Sequence, residues 1–274
     1  MKGDPIFQAG KHPDQISPGW VELGFKFGDK GAHTSRTIMV QEITELLRHC
    51  PPTSDRADYV HAAIEENCFG KQTVSTRRLT LQRMSELYAI DPKVPIFRLL
   101  RVYWDAAEAA QPQLALLTAL ARDPLLRVTA PVIITMKEGE EIARQKLTDA
   151  LRQSVNGRLN DSSLDKVVRN AASSWTQAGH LMGRSRKKRL KLQPTPASVA
   201  YALLIGFLIG SRDRNLFETL FCRILDRDAD NLIFLAMDAK RLGFLDIKIA
   251  GGLTVVSFDK ILNEREKKLA YGAD

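Results

Sequence analysis

Apolar side chains recur at helical spacing along most of the chain, and this pattern predicts a mainly α-helical fold. Ile38, Val40, Ile43, Leu46 and Leu47 mark a first helix. It should end at Cys50-Pro51-Pro52, because proline has no amide to donate and blocks the preceding turn. Thr53-Ser54-Asp55 offers capping oxygens for a second helix with the stripe Tyr59, Val60, Ala63 and Ile64, closed by Asn67-Cys68-Phe69-Gly70. A third, over 75–89, follows its own cap and carries Leu79, Leu81, Met84, Leu87 and Tyr88 inward. More helices are expected over 96–110, 113–121, 139–154 and 162–182, with a loop at Asp123-Pro124. Val132-Ile133-Ile134 has the composition of a short strand in a helical context. These segments describe a compact helical bundle.

The texture changes after Pro194-Thr195-Pro196. Residues 197–210 are almost uniformly apolar, which predicts a buried helix. At about fourteen residues the stretch is short of the roughly twenty that cross a bilayer, so no membrane span is expected. Helices over 216–225 and 229–242 precede two alternating segments, 245–249 and 253–258, separated by Ala250-Gly251-Gly252, the pattern of a tight hairpin. Three helices followed by a two-stranded wing is a winged-helix-like order. The outward side of its third helix would include Asn231, Asp238, Lys240 and Arg241, a mixed set that suits protein as readily as DNA. The expected organisation is therefore an extended N-terminal arm over 1–34, a helical domain over 35–192 and a winged-helix-like domain over 193–274. Its last segment, 263–268, is charged and expected to fray.

Charge adds a location to this outline. The net charge is +8, and residues 151–192 account for it with ten Lys or Arg against Asp161 and Asp165, while the remainder balances at thirty of each sign. The run Arg184, Ser185, Arg186, Lys187, Lys188, Arg189, Leu190, Lys191 can displace counterions from several phosphates at once, which predicts salt-dependent binding to a polyanion. A solvated loop is the plainer alternative. A second candidate surface is the third helix, where Thr76, Arg77, Arg78 and Arg83 follow Lys71. A helix, a short glycine turn and a helix opening with hydroxyl and arginine side chains make a helix-turn-helix-like unit. Arginine can bond guanine edges, and a hydroxyl-rich helix N-terminus can receive phosphate. Any helical hairpin with a polar first turn shares this form. Trp175 reads either as an aromatic platform beside phosphates or as core.

Catalysis leaves fewer traces. The chain has no glycine-rich phosphate loop, dinucleotide fingerprint, histidine pair at metal spacing or nucleophile elbow. His12, His33, His49, His61 and His180 stand alone, and the adjacent pairs Glu65-Glu66 and Glu140-Glu141 diverge on a helix. A non-enzymatic protein without metal or cofactor is expected, with a nuclease built from scattered acidic residues left open. Cys50, Cys68 and Cys222 are odd in number and unpaired in spacing, so they read as reduced thiols of a cytoplasmic protein. The polar start, broken by Pro5, Pro13 and Pro18, has no apolar signal region.

Residues 65–78, Glu-Glu-Asn-Cys-Phe-Gly-Lys-Gln-Thr-Val-Ser-Thr-Arg-Arg, resemble the Glu-Asn-x-Leu-x-Lys-x-Ser/Thr pattern followed by Arg of the small A component (BrxA) of BREX bacteriophage-exclusion systems. Asn67, Lys71, Thr76, Arg77 and Arg78 are the matching positions; Cys68-Phe69 departs from the usual apolar pair. The resemblance implies an all-helical protein with a winged-helix part that binds DNA within a phage-defence locus. The expectation is thus a DNA-binding accessory protein that contacts duplex phosphates through Arg184, Arg186, Lys187, Lys188, Arg189 and Lys191, with Lys71, Thr76, Arg77, Arg78 and Arg83 as a second surface. The alternatives are an adaptor that scaffolds a multi-protein defence complex, and an RNA-binding protein.

Overall fold

The computed structural model describes residues 4–7 and 16–271. The chain is mainly helical, with two small antiparallel sheets. In order it forms α1 (Pro18–Leu23), α2 (Val40–His49), α3 (Arg56–Ile64), α4 (Val74–Tyr88), α5 (Pro95–Trp104), α6 (Gln111–Arg122), α7 (Pro124–Arg127), α8 (Ala130–Ile134), α9 (Arg144–Val155) and α10 (Asp161–Gln177). The hairpin β1 (Leu181–Met182) and β2 (Lys188–Arg189) follows, then α11 (Pro196–Leu208), α12 (Leu220–Arg223), α13 (Ala229–Arg241), the hairpin β3 (Asp246–Ala250) and β4 (Leu253–Ser257), and α14 (Glu264–Tyr271). No helix among the described residues is long and apolar enough to cross a membrane.

Caps set the boundaries. Asp55 and Asp58 form a reciprocal capping box on α3, Thr73 accepts from the Thr76 amide at the start of α4, and Asn160 accepts from Ser163 on α10. Thr195 and Ser198 repeat the box on α11. Two helices, α6 and α11, are buried on every side, as their all-round apolar sequences require. They pack against each other, and Thr118 and Tyr201 hydroxyls meet between them at 2.8 Å. The other helices assemble around this pair: α2, α4 and α5 on α6, and α5, α12, α13 and α14 on α11. One buried cluster runs from Ile6 to Ala270 across position 192, so residues 193–274 share their core with the rest of the chain. A smaller cluster, including Leu125, Leu151, Val155, Leu164 and Val168, joins α7, α9 and α10.

Several segments differ from the sequence pattern. Within the segment expected as an arm, the described residues include the helix α1, and Leu23, Phe25 and Ala32 enter the core. Asp4 makes a two-pronged ion pair with the buried Arg127 at 2.7 Å, and Phe7, Trp20 and Phe27 pack ring against ring. His12 and Pro13 lie outside the described residues. The charged tail does not fray. It forms α14, whose Glu266 is buried against Arg98 (Nε to Oε1, 2.7 Å), and Arg212 lies 3.7 Å over the Phe207 ring while donating to the Ala270 carbonyl. The helix expected over 216–225 is broken at Thr219, which is extended and donates its hydroxyl to the Leu216 carbonyl. Val132-Ile133-Ile134 is helical, within α8.

The segment 31–38 is fastened by a wholly buried polar chain. Asp123, which caps α7 through the Leu126 amide (3.1 Å), accepts from the His33 amide (3.1 Å) and meets its ring Nδ1 (2.8 Å). On the far side of the ring, Nε2 meets Ser174 Oγ on α10 at 2.8 Å, and that oxygen also accepts from the Ile38 amide. Burial by itself would raise the Asp123 carboxyl. The His33 ring and the two amides outweigh it and hold Asp123 below the usual carboxylate range. Gly31 is required here for space, since a Cβ would lie 2.0 Å from Asp123 Oδ1. Asp123→Ala removes one partner of a buried charged set and should cost about 3–5 kcal/mol, measured by urea unfolding; a loss under about 1 kcal/mol would show that the network contributes little.

Candidate nucleic-acid interface

The basic run is a hairpin, not the continuation of α10. That helix ends at Gln177, where the His180 amide turns back to the Trp175 carbonyl, and the chain reverses into β1. Leu181 pairs with Arg189 and Met182 with Lys188. Strand alternation then sends Leu181 and Arg189 inward and Met182 and Lys188 outward. A third segment completes the edge: Gly139 and Ile142 amides donate to the Arg189 and Lys187 carbonyls, and the Arg189 amide to Glu140. Gly183 turns the loop in a left-handed conformation (φ 110°), and a Cβ there would lie 2.2 Å from the Arg186 carbonyl oxygen.

This geometry divides the run. Arg189 is fully buried: it pairs with Asp226 at 2.5 Å, and Nε donates to the Ile133 carbonyl at 3.0 Å. Asp226 also accepts from the Leu192 amide (3.0 Å) and lies 3.6 Å from the Lys191 ammonium. Lys187 donates to Thr176 Oγ1 (2.8 Å) and the Gly183 carbonyl (3.2 Å), and burial holds it below the usual lysine range. Arg184, Arg186 and Lys188 are exposed, with no carboxylate at ion-pair distance among the described residues. Arg223 and Arg227 come to the base of the hairpin, because His180 bonds the Ile224 carbonyl (2.8 Å) and Arg189 holds Asp226. Glu141 lies beside Lys188 as its cross-strand neighbour and lowers the positive potential along that edge.

Most of the second surface is occupied with building the turn between α3 and α4. Asn67 adopts a left-handed conformation (φ 55°) and its side chain accepts from the Lys71 amide at 2.8 Å. The Lys71 ammonium pairs with Glu42 of α2 at 2.9 Å. Arg77 holds both ends of the turn, donating to the Ile64 carbonyl (2.9 Å) and the Lys71 carbonyl (3.2 Å). Thr76 Oγ1 bonds the capping Thr73 hydroxyl, and Arg83 is bound to both oxygens of Glu86. Arg78 is exposed and has no ion-pair partner among the described residues. Three of the five positions that carry the family resemblance, Asn67, Lys71 and Arg77, are therefore the ones that shape the turn. Trp175 is core, with Nε1 donating to Thr129 Oγ1 at 2.8 Å.

The chemistry that sequence spacing hides is the Asp123–His33–Ser174 set, whose members are 90 and 141 residues apart. Its distances match an acid–base–nucleophile relay. Ser174, however, is fully buried, and its hydroxyl is bonded to the Asn170 carbonyl at 2.8 Å, so no substrate reaches it in this conformation. His49 and His61 both meet Glu66 at the surface. Among the described residues, no group of His, Cys, Asp or Glu is placed to hold a metal ion. No protein-family model and no curated protein matches the chain.

His180, at the root of the hairpin, packs edge-on to Trp175, and burial pushes its ring down to about 4. The unfolded chain takes up this proton near pH 6.5, so stability should fall as pH drops from about 6.5 towards 4. His180→Gln should lose that component in urea midpoints measured across pH. An unaltered pH profile would show that His180 protonates freely in the folded state.

Proposed function

We propose that this protein is a non-enzymatic duplex-DNA-binding accessory protein, and that the hairpin between α10 and α11 is its main phosphate-contacting element. The observation that carries this is the division of the basic run. Arg189 is anchored inside by Asp226, while Arg184, Arg186 and Lys188 are left exposed, with no carboxylate at ion-pair distance among the described residues, on a loop held at both strands. Cations fixed on a hydrogen-bonded hairpin lose less conformational freedom on meeting a phosphodiester backbone than cations on a free loop. Such contacts see charge rather than bases, so low sequence specificity follows. Arg78, at the open start of α4, is the remaining free cation of the helix-turn-helix-like unit formed by α3 and α4. The likeness of residues 65–78 to the BREX A component makes a phage-defence complex the proposed setting.

One observation favours a second reading, assembly with other proteins. We take α11 to α13 with β3 and β4 as a winged-helix-like unit. On its helix α13 the charges pair internally, Arg241 with Asp238 at 2.7 Å and Lys240 with Asp246 at 2.8 Å. Large apolar side chains are left outward there and on the wing, Phe234, Leu242 and Leu253 at 65%, 62% and 68% exposed, beside the exposed Asp230, Asn231 and Lys248. A surface of this kind suits a protein better than a phosphate backbone. Hairpin and wing thus divide into a cationic surface and one with exposed apolar side chains.

The test is a gel-shift titration over a salt series with the triple variant Arg184→Ala, Arg186→Ala, Lys188→Ala. Affinity should fall for every duplex sequence, and the salt slope should flatten by up to about 0.9 for each phosphate that the variant no longer neutralises. Unchanged affinity and slope would remove the hairpin from the interface. Tighter binding of single-stranded RNA in competition would replace DNA by RNA, and a pull-down that survives nuclease treatment would favour assembly. Arg189→Ala serves as the contrast: it leaves the buried Asp226 to the Leu192 amide and the Lys191 ammonium at 3.6 Å, and should cost up to about 3–5 kcal/mol of stability.

A further inference from the structure

A cleft of about 1140 Å³ lies between the N-terminal segment and the bundle, lined by residues of 16–34 together with Arg83, Glu86, Arg122 and Arg158. It is somewhat larger than ligand pockets of about 300–1,000 Å³. One wall is apolar, with Pro18, Val21 and the buried Phe25. The polar side carries five cations, Lys26, Lys30, Arg83, Arg122 and Arg158, against two lining carboxylates, Glu22 and Glu86.

Pairing does not cancel this excess. Arg83 pairs through one terminal nitrogen with Glu86 at 2.9 Å while its buried Nε has no partner, Arg158 pairs with Asp29 at 2.6 Å, and Glu22 faces Arg265 at 3.4 Å. Lys26, Lys30 and Arg122 have no carboxylate at ion-pair distance among the described residues. Arg122 is buried, and its guanidinium is held by the carbonyls of Gly24, Ser85 and Glu86 alone. Carbonyl dipoles satisfy its donors without cancelling its charge. Burial brings Arg122 down to about 10, and burial together with the Arg122 charge holds Lys26 below the usual lysine range although Glu86 and Asp123 oppose them. A lysine held down by a neighbouring buried guanidinium beside an apolar wall marks a place that an anion would relieve.

We propose that this cleft binds an amphiphilic organic anion, a phosphate or carboxylate head on an apolar body. Lys26 and Lys30 take the head above the Arg122 guanidinium, and Pro18, Val21 and Phe25 receive the body. The two halves are required together: the apolar wall gives a bare inorganic anion nothing to bury, and the cations give a neutral amphiphile no partner. The site is separate from the hairpin and does not depend on the DNA-binding proposal.

Titration calorimetry of the full chain with octyl phosphate tests it, with inorganic phosphate and octyl glucoside as head-only and body-only probes. Octyl phosphate should bind at least about tenfold tighter than either. Lys26→Gln with Lys30→Gln, both outside the apolar core, should weaken it by about tenfold or more, whereas the hairpin triple variant should bind it as the wild type does. A measurement free of variants is the acetylation of Lys26 by acetic anhydride, followed by peptide mass: octyl phosphate should protect this lysine. No binding of octyl phosphate, equal affinity in the Lys26/Lys30 variant, equal binding of either partial probe, or absence of protection would each overturn the proposal.

Discussion

The carboxylate of Asp123 is the constraint on which the arrangement of the chain's first third depends. It sits at the junction of α6 and α7, wholly buried, and caps one helix while holding the His33 ring, through which it reaches Ser174 on α10. A carboxylate removed from water needs its lone pairs filled, and here a backbone amide on each side and an imidazole fill them. The consequence is positional. Residues 31–38 are drawn across the bundle between α6 and α10, and α2 starts from there. Gly31 passes against the carboxylate because no side chain would fit.

The same device recurs wherever a peripheral segment meets the core. Arg127 binds Asp4 of the N-terminal segment, Arg98 binds Glu266 of α14, and Arg189 binds Asp226 beneath the hairpin. Buried pairs of this sort contribute modest net stability, since desolvation offsets most of the attraction, but breaking one by removing a partner is severe. They act as fixed points for direction and register. The core between them, the pair α6 and α11 with its surrounding helices, is held by apolar burial that is strong but indifferent to direction.

This division bears on function. A net charge of +8 gives no indication of which cations face outward. Arg189, Lys71, Arg77 and Arg83 are tied to the protein's own oxygens, and among the described residues Arg184, Arg186, Lys188 and Arg78 have no carboxylate at ion-pair distance. The hairpin owes its shape to two buried groups, Arg189 and His180, that contribute nothing to its outward charge. Its exposed cations stand on a hydrogen-bonded edge that also carries Glu141, while the hairpin of β3 and β4 exposes Leu253 together with Lys248.

What the sequence determined by itself is local. Helical periodicity, caps such as Asp55, Thr73, Asn160 and Thr195, and the Gly251-Gly252 hairpin depend on neighbours a few residues apart, and they were legible as mainly α-helical structure, although the helices expected over 96–110 and 162–182 end early, at Trp104 and Gln177. The concentration of charge in 151–192 was equally legible, because it is a sum. Only the tertiary structure decided which charges are free. Arg189 reads as one more cation in a run until Asp226, 37 residues on, is placed beside it, and His33 reads as isolated until Asp123 and Ser174 close around it. The folding of the charged segment 263–268 into α14 was hidden for the same reason. A charged segment looks solvated from its own composition, and only a counter-charge brought from elsewhere in the chain makes its burial favourable.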